Sequence, residues 1–196
     1  MKAILFFIYQ LLFIPHWILF IQSKNKNVII EDLYNTEPMK SSSKAIAFDL
    51  TKQLAQNKYF RTLFYFRTRG NISNILRVFY PKDNRLTIDI NTKLGGGVIL
   101  AHPYSSIINA KKIGKNLYIN QLVTIGESNG KLPVLGNNVK LYTNCTVLGD
   151  ITIGDNVVVG AGAVVVKSVP DNCVVVGNPA RVINKTVKKS SNTFNS

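Results

Sequence analysis

Residues 135–165 read LGNNVKLYTNCTVLGDITIGDNVVVGAGAVV, and their spacing decides the fold. An aliphatic residue returns at every sixth position: Leu135, Leu141, Val147, Ile153, Val159 and Val165. Four places after each comes a small or β-branched residue: Val139, Cys145, Ile151, Val157, Ala163 and Val169. Alternating strands repeat every two residues and helices about every 3.6. A period of six describes a short strand plus a corner, and three such units close one triangular coil. The aliphatic side chain points inward and stacks on its counterpart in the next coil. Glycine, asparagine and aspartate gather at the corners, where the chain bends and a positive φ must be tolerated. The pattern predicts a parallel β-solenoid in which each coil buries its neighbour's face.

Upstream the same register runs through Ile88, Leu94 and Leu100, slips one place to Ile107, and continues at Ile113, Ile119 and Ile125. Residues 127–134 interrupt it. Val123 takes the small inward position, and glycine often follows the aliphatic residue, as at Gly95, Gly114, Gly126, Gly136, Gly154 and Gly160. The solenoid is expected over 85–183. Residues 1–84 read differently. Asn27 to Tyr34 and the AIAFDLTKQLAQ stretch after Lys44 carry apolar residues at helical spacing. Tyr59 to Tyr80 does the same with interleaved arginines, Gly70 should break it in two, and Pro81 should end it. The fold class is therefore α+β, a helical region followed by a solenoid. Residues 184–196 are polar, basic and aperiodic, and are expected to be disordered.

Residues 3–22, AILFFIYQLLFIPHWILFIQ, are almost wholly apolar. Three readings stand: a helix buried or paired with a second copy, a helix lying on a membrane surface, and a membrane span. Pro15 and His16 weigh against the span. Lys24 and Lys26 would suit an anionic cytoplasmic leaflet. No small-residue cleavage site of a secretory signal follows. His16 reads as a structural histidine.

The chain has 196 residues and a formal net charge of +14, which favours anionic partners. Neither zinc-finger spacing nor an RNP-like sequence is present, so nucleic acid is not an expected partner. Two cysteines cannot make a disulfide framework and fit a reducing compartment. Cys145 occupies an inward position and reads as a core thiol. His102 is one of two histidines and sits at the slip in the register, where a corner is distorted and a side chain can face outward. Imidazole is suited to proton transfer near neutral pH. The position alone is equally that of an ordinary surface-turn histidine. No serine or cysteine elbow is present.

Four segments carry a family resemblance. FRTLFYFR (Phe60–Arg67), IDINTKLGGGVILAH (Ile88–His102), INQLVTIG (Ile119–Gly126) and IGDNVVVGAGAVVVKSVPDNCVVVGNPARVI (Ile153–Ile183) resemble serine acetyltransferases, members of the hexapeptide-repeat acyltransferases. The resemblance implies a left-handed parallel β-helix, a homotrimer or dimer of trimers, and acetyl-CoA as donor. It implies that His102 is the general base for direct attack by an acceptor hydroxyl, with no metal. Asp89 matches an aspartate that faces the substrate. Backbone near Gly126, Ala161 and Ala163 would line the pantetheine arm, and Lys167 and Arg181 would meet the CoA phosphates. Two departures stand out. The family's aspartate before the histidine is Ala101 here, and its mid-helix Arg-His pair is replaced by Ser128-Asn129-Gly130-Lys131-Leu132-Pro133, where Lys131 could still meet a carboxylate. Serine, in cysteine biosynthesis, is the acceptor ranked first, a capsule or lipopolysaccharide sugar second. A non-catalytic scaffold is the reading from another class. The expected location is the cytoplasm, including the inner face of the membrane.

Overall fold

The computed structural model describes residues 11–35 and 43–184. What was expected of residues 3–10 and of the tail beyond Asn184 lies outside the described residues. Among the described residues five helices come first: α1 (Ile14–Gln22), α2 (Lys26–Tyr34), α3 (Ser43–Gln56), α4 (Lys58–Thr68) and α5 (Asn71–Phe79). Asn57 starts α4, its Oδ1 accepting from the N–H groups of Tyr59 and Phe60 at 3.0 Å. Gly70 separates α4 from α5 with φ of 145°, a conformation closed to side chains, while a Cβ there would meet nothing within 4 Å. Its role is the bend itself. Phe13, Phe20, Ile29, Leu33, Leu50, Leu54, Phe60 and Phe64 form the helical core.

His16 is fully buried in that core. The Tyr65 hydroxyl donates to the Tyr80 carbonyl at 3.1 Å, so it accepts from His16 Nε2 at 2.9 Å. Nδ1 is left as a bare buried lone pair. Burial, with Arg61 nearby, pushes the imidazole down to about 4. His16 is thus a neutral structural histidine.

Fifteen strands follow. The solenoid's first coil holds β1 (Leu86–Ile88), β2 (Lys93–Leu94) and β3 (Ile99–Leu100). The second holds β4 (Ser106–Ile108), β5 (Lys112–Ile113) and β6 (Tyr118–Ile119). The third holds β7 (Thr124–Gly126), β8 (Val134–Leu135) and β9 (Lys140–Leu141). The fourth holds β10 (Thr146–Leu148), β11 (Thr152–Ile153) and β12 (Val158–Val159). The last holds β13 (Val164–Val165) and β14 (Val174–Val176), and β15 (Arg181–Asn184) folds back. Strands stack in parallel into three sheets, β1-β4-β7-β10-β13, β2-β5-β8-β11 and β3-β6-β9-β12-β14, with β15 antiparallel on β14. The inward column is the expected one at Ile113, Ile119, Ile125, Leu135, Leu141, Val147, Ile153, Val159 and Val165, all buried. Cys145 is fully buried among them, and burial pushes its thiol up to about 12.

The expected slip to Ile107 is corrected. Ile108 pairs with Ile88 and Ile125 and is fully buried, whereas Ile107 is 48% exposed. The register therefore advances by eight residues from Leu100 to Ile108, two more than the repeat, and by five to Ile113. The role expected of the glycines also changes. Asn116, Asn138, Asn156 and Asn172 take the positive φ, 55–60°, and their amides bond in a ladder of 2.9–3.0 Å. A Cβ on Gly114 would sit 2.6 Å from the carbonyl oxygen of Gly136 in the next coil. Glycine is needed there for close approach.

A buried ion pair joins helices to solenoid. Arg67 on α4 donates from Nε to Asp32 Oδ2 at 2.9 Å, and its terminal nitrogens reach the Leu94 and Gly95 carbonyls. Asp32 on α2 also accepts from Val98 N at 3.0 Å. Neither side chain is more than 5% exposed. Arg67→Ala should therefore destabilise the chain by about 3–5 kcal/mol, because it strands a buried carboxylate and two carbonyls. Urea unfolding of both forms measures this. His16 supplies a pH-dependent term. The unfolded imidazole protonates near 6.5 and the folded one near 4. Between those values the unfolded chain holds the extra proton, so stability should fall as pH drops from 6.5 towards 4, by about 3 kcal/mol. Urea midpoints across that range should show the loss, and His16→Gln should flatten it.

Candidate functional site

The out-of-register corner puts His102 on the surface. Its backbone has φ of 55°, and its carbonyl accepts from Tyr104 N at 2.8 Å. Pro103 beside it is buried. Ser106 pins the far side of the bulge, its Oγ donating to the Asn120 carbonyl at 3.2 Å and accepting from Val123 N at 3.0 Å. The imidazole is exposed, on a cleft of about 660 Å³ between this corner and the helices. The helical wall carries Gln53, Gln56, Tyr59 and Arg61. Arg61 is fixed there by its bonds to the Leu54, Ala55 and Pro81 carbonyls. Among the described residues Asp and Glu are missing from the lining, and Ala101 stands where the serine acetyltransferases have an aspartate. These helical residues escaped the sequence reading. The only signal was the FRTLFYFR segment, which says nothing about facing His102.

The other candidates fall on two different corners of the triangular coil. One corner holds His102. Leu122 N bonds to the Tyr104 carbonyl, Asn144 N to Gln121, and Gly162 N to Thr143, so Ala161 and Gly162 stack on the same edge as His102. Three coils separate them, about 14 Å at the usual strand spacing. Ala161 is exposed and a Cβ on Gly162 would meet nothing within 4 Å, so the backbone here is open to a slender ligand. Ala163 differs. Its side chain is in the core, its N–H bonds to Gly160 and its carbonyl to Thr146.

Asp89, Gly126, Lys131 and Lys167 belong to the next corner round. Asp89 N bonds to the Ile108 carbonyl and Asn109 N to Ile125, which places Asp89, Asn109 and Gly126 in one column. Gly126 pairs with Leu148 in the next coil, and Lys167 is exposed two coils above Gly126. Asp89 Oδ1 accepts from Asn91 N at 2.8 Å. Residues 127–133 leave this corner as a hairpin, with Ser128 and Lys131 paired and Asn129 and Gly130 at positive φ. Lys131 Nζ sits 2.8 Å from Asp150 Oδ2, and that hydrogen bond raises its pKa. Arg181 opens β15 and is exposed. Within one chain none of these residues lines the His102 cleft. Among the described residues no group of three or more His, Cys, Asp or Glu is placed to hold a metal.

Comparisons with known proteins agree with this architecture. Residues 133–167 match the family model described as Bacterial transferase hexapeptide (six repeats). The chain is 43% identical to a serine acetyltransferase of Synechococcus elongatus over 96 residues, 46% of this chain and 39% of that protein. It is 46% identical over 93 residues to an Escherichia coli K12 protein provisionally assigned as the colanic acid biosynthesis acetyltransferase WcaB, covering 45% of this chain and 57% of that one. A solved serine acetyltransferase from Brucella abortus superposes with a TM-score of 0.62 at 27% identity, over 82% of this chain and 67% of that one. The chain thus spans less than two thirds of the length of these curated relatives. Its solenoid is similar to that of hexapeptide-repeat acetyltransferases.

Proposed function

We propose that this chain is an acetyl-CoA-dependent O-acetyltransferase with L-serine as acceptor, in cysteine biosynthesis, and His102 as general base. One observation carries the reading. The coil takes two extra residues at the corner between Leu100 and Ile108, that departure exposes an imidazole, and an open backbone edge leads away from it at Ala161 and Gly162. The pantetheine arm would lie along this edge, with its thioester at His102. His102 takes the proton from the acceptor hydroxyl as the oxygen attacks the thioester carbonyl. Corner N–H groups stabilise the tetrahedral oxyanion. Collapse expels the CoA thiolate, which takes the proton from His102. The acetyl ester and free CoA thiol leave, and no covalent enzyme intermediate forms.

The division of candidates between two corners supports a homotrimer. If one chain's His102 corner faced its neighbour's Asp89 corner, Asp89, Gly126 and Lys167 would complete the cleft. Lys167 and Arg181, both exposed, would then meet the CoA phosphates as charges. Acetyl-CoA as donor supports a cytoplasmic location, the inner face of the membrane included.

A sugar hydroxyl of a capsule or lipopolysaccharide precursor is the second reading, and specific observations favour it. Among the described residues no carboxylate lines the His102 cleft to hold an ammonium, and Lys131 is already engaged by Asp150. Its relative WcaB is named for colanic acid biosynthesis.

Thiol release from acetyl-CoA, with L-serine and then with a sugar panel, tests all of this. With the true acceptor, His102→Ala should lower kcat by about 10²–10⁴-fold. A mutant equal to wild type, or a wild type inert with every acceptor and unable to bind CoA, would leave the scaffold reading. Lys167→Ala should raise KM for acetyl-CoA several-fold and leave kcat near wild type, because a phosphate contact remote from the reacting carbonyl contributes equally to ground and transition states.

A further inference from the structure

We propose that α1 and α5 form a docking surface for anionic lipid, holding the chain against a membrane by two apolar stripes with a cationic border. On α1 and the residue pair before it, Leu11, Ile14, Ile18 and Ile21 recur at helical spacing and are 46–61% exposed. On α5, Ile72, Ile75, Val78 and Phe79 do the same and are 50–77% exposed. The opposite faces bury His16, Leu19 and Phe20 on α1, and Ser73 and Leu76 on α5. Each helix therefore turns an apolar side outward, the reverse of what a helix dissolved in water does.

The two helices pack together and run in opposite directions. The Tyr80 hydroxyl, just past α5, bonds to the Leu12 carbonyl ahead of α1, and the Phe13 and Tyr80 rings are 4.8 Å apart. At the other end Gln22, Lys24 and Arg69 line a common cleft. The charge bordering this face has one sign. Residues 11–30 and 69–82 contain no acidic residue, and Lys24, Lys26 and Arg69 stand exposed at the end where α1 finishes and α5 begins. Residues 3–10, which lead into Leu11, read AILFFIYQ, apolar throughout except Gln10.

The border decides the occupant. A second copy seated on the same stripes would bring the exposed Lys24, Lys26 and Arg69 of each chain into one shared apolar contact with no acidic residue to offset them. A negatively charged headgroup layer neutralises them while the acyl boundary takes up the isoleucines, valine and phenylalanine. Helices of nine residues, about 14 Å long, lie in that layer and do not cross it.

The test is sedimentation of the full-length protein with phosphatidylcholine vesicles, with and without one third phosphatidylglycerol. Two variants are compared, Ile75→Asp with Val78→Asp, and Lys24→Glu with Lys26→Glu. All four positions are exposed, and thermal melts matching wild type establish that both variants fold. Wild type should bind the anionic vesicles, bind pure phosphatidylcholine little, and release in high salt. Each variant should bind about tenfold more weakly or worse. Three results would overturn the proposal: no binding of wild type to anionic vesicles, binding that neither variant changes, or a lipid-independent oligomer that the apolar variant dissolves. The last would assign the stripes to a second copy.

Discussion

No coil of the solenoid is satisfied by itself. Its backbone donors find their acceptors one coil further on, as Gly95 N does at Ile113, Gly114 N at Leu135, Gly136 N at Ile153 and Gly154 N at Val169. The same step that makes these bonds stacks the inward aliphatics, so hydrogen bonding and apolar burial are gained together or not at all. The consequence is a stiff edge at each corner. Residues far apart in sequence, such as His102 and Ala161, come to share a line because each coil repeats the one below it.

A stack of this kind has two open ends, and an open sheet end is a template for unwanted pairing. The chain closes both. At the last coil β15 turns back antiparallel on β14. At the first coil the helices take over, with Arg67 holding the Leu94 and Gly95 carbonyls and Asp32 holding the Val98 N–H. That second closure has a functional consequence. It brings α3 and α4 over the His102 corner, so Gln53, Tyr59 and Arg61 become the wall of the cleft.

The site reads as one half of a pair. A single corner offers an exposed imidazole and an open backbone edge, while the Asp89 carboxylate and the Lys167 charge stand on the next corner round. A triangular coil cannot fold one of its corners onto another, because the sheet between them is rigid. Symmetric association is the simplest way to bring unlike corners together, since rotation sets one chain's corner against a different corner of its neighbour.

What the sequence determined by itself was the coil, because a six-residue interval between aliphatics has no other economical burial. Cys145 in the core, the break at Gly70 and the structural role of His16 were legible from local pattern as well. Three things were decided only by tertiary structure. Ile108 rather than Ile107 faces inward, because the register is set by pairing with Ile88 and Ile125, and two adjacent isoleucines look alike to any periodicity. Of the corner residues expected to bend, Asn116, Asn138, Asn156 and Asn172 take the left-handed conformation where their amides can stack, and Gly97 and Gly162 take it too, while Gly95, Gly114, Gly136 and Gly154 answer to the closeness of the next coil's backbone. The wall of the cleft was hidden altogether. Its residues owe their position to a buried ion pair between Asp32 and Arg67, 35 residues apart in the chain, and no local pattern encodes which helix face such a pair will turn towards the solenoid.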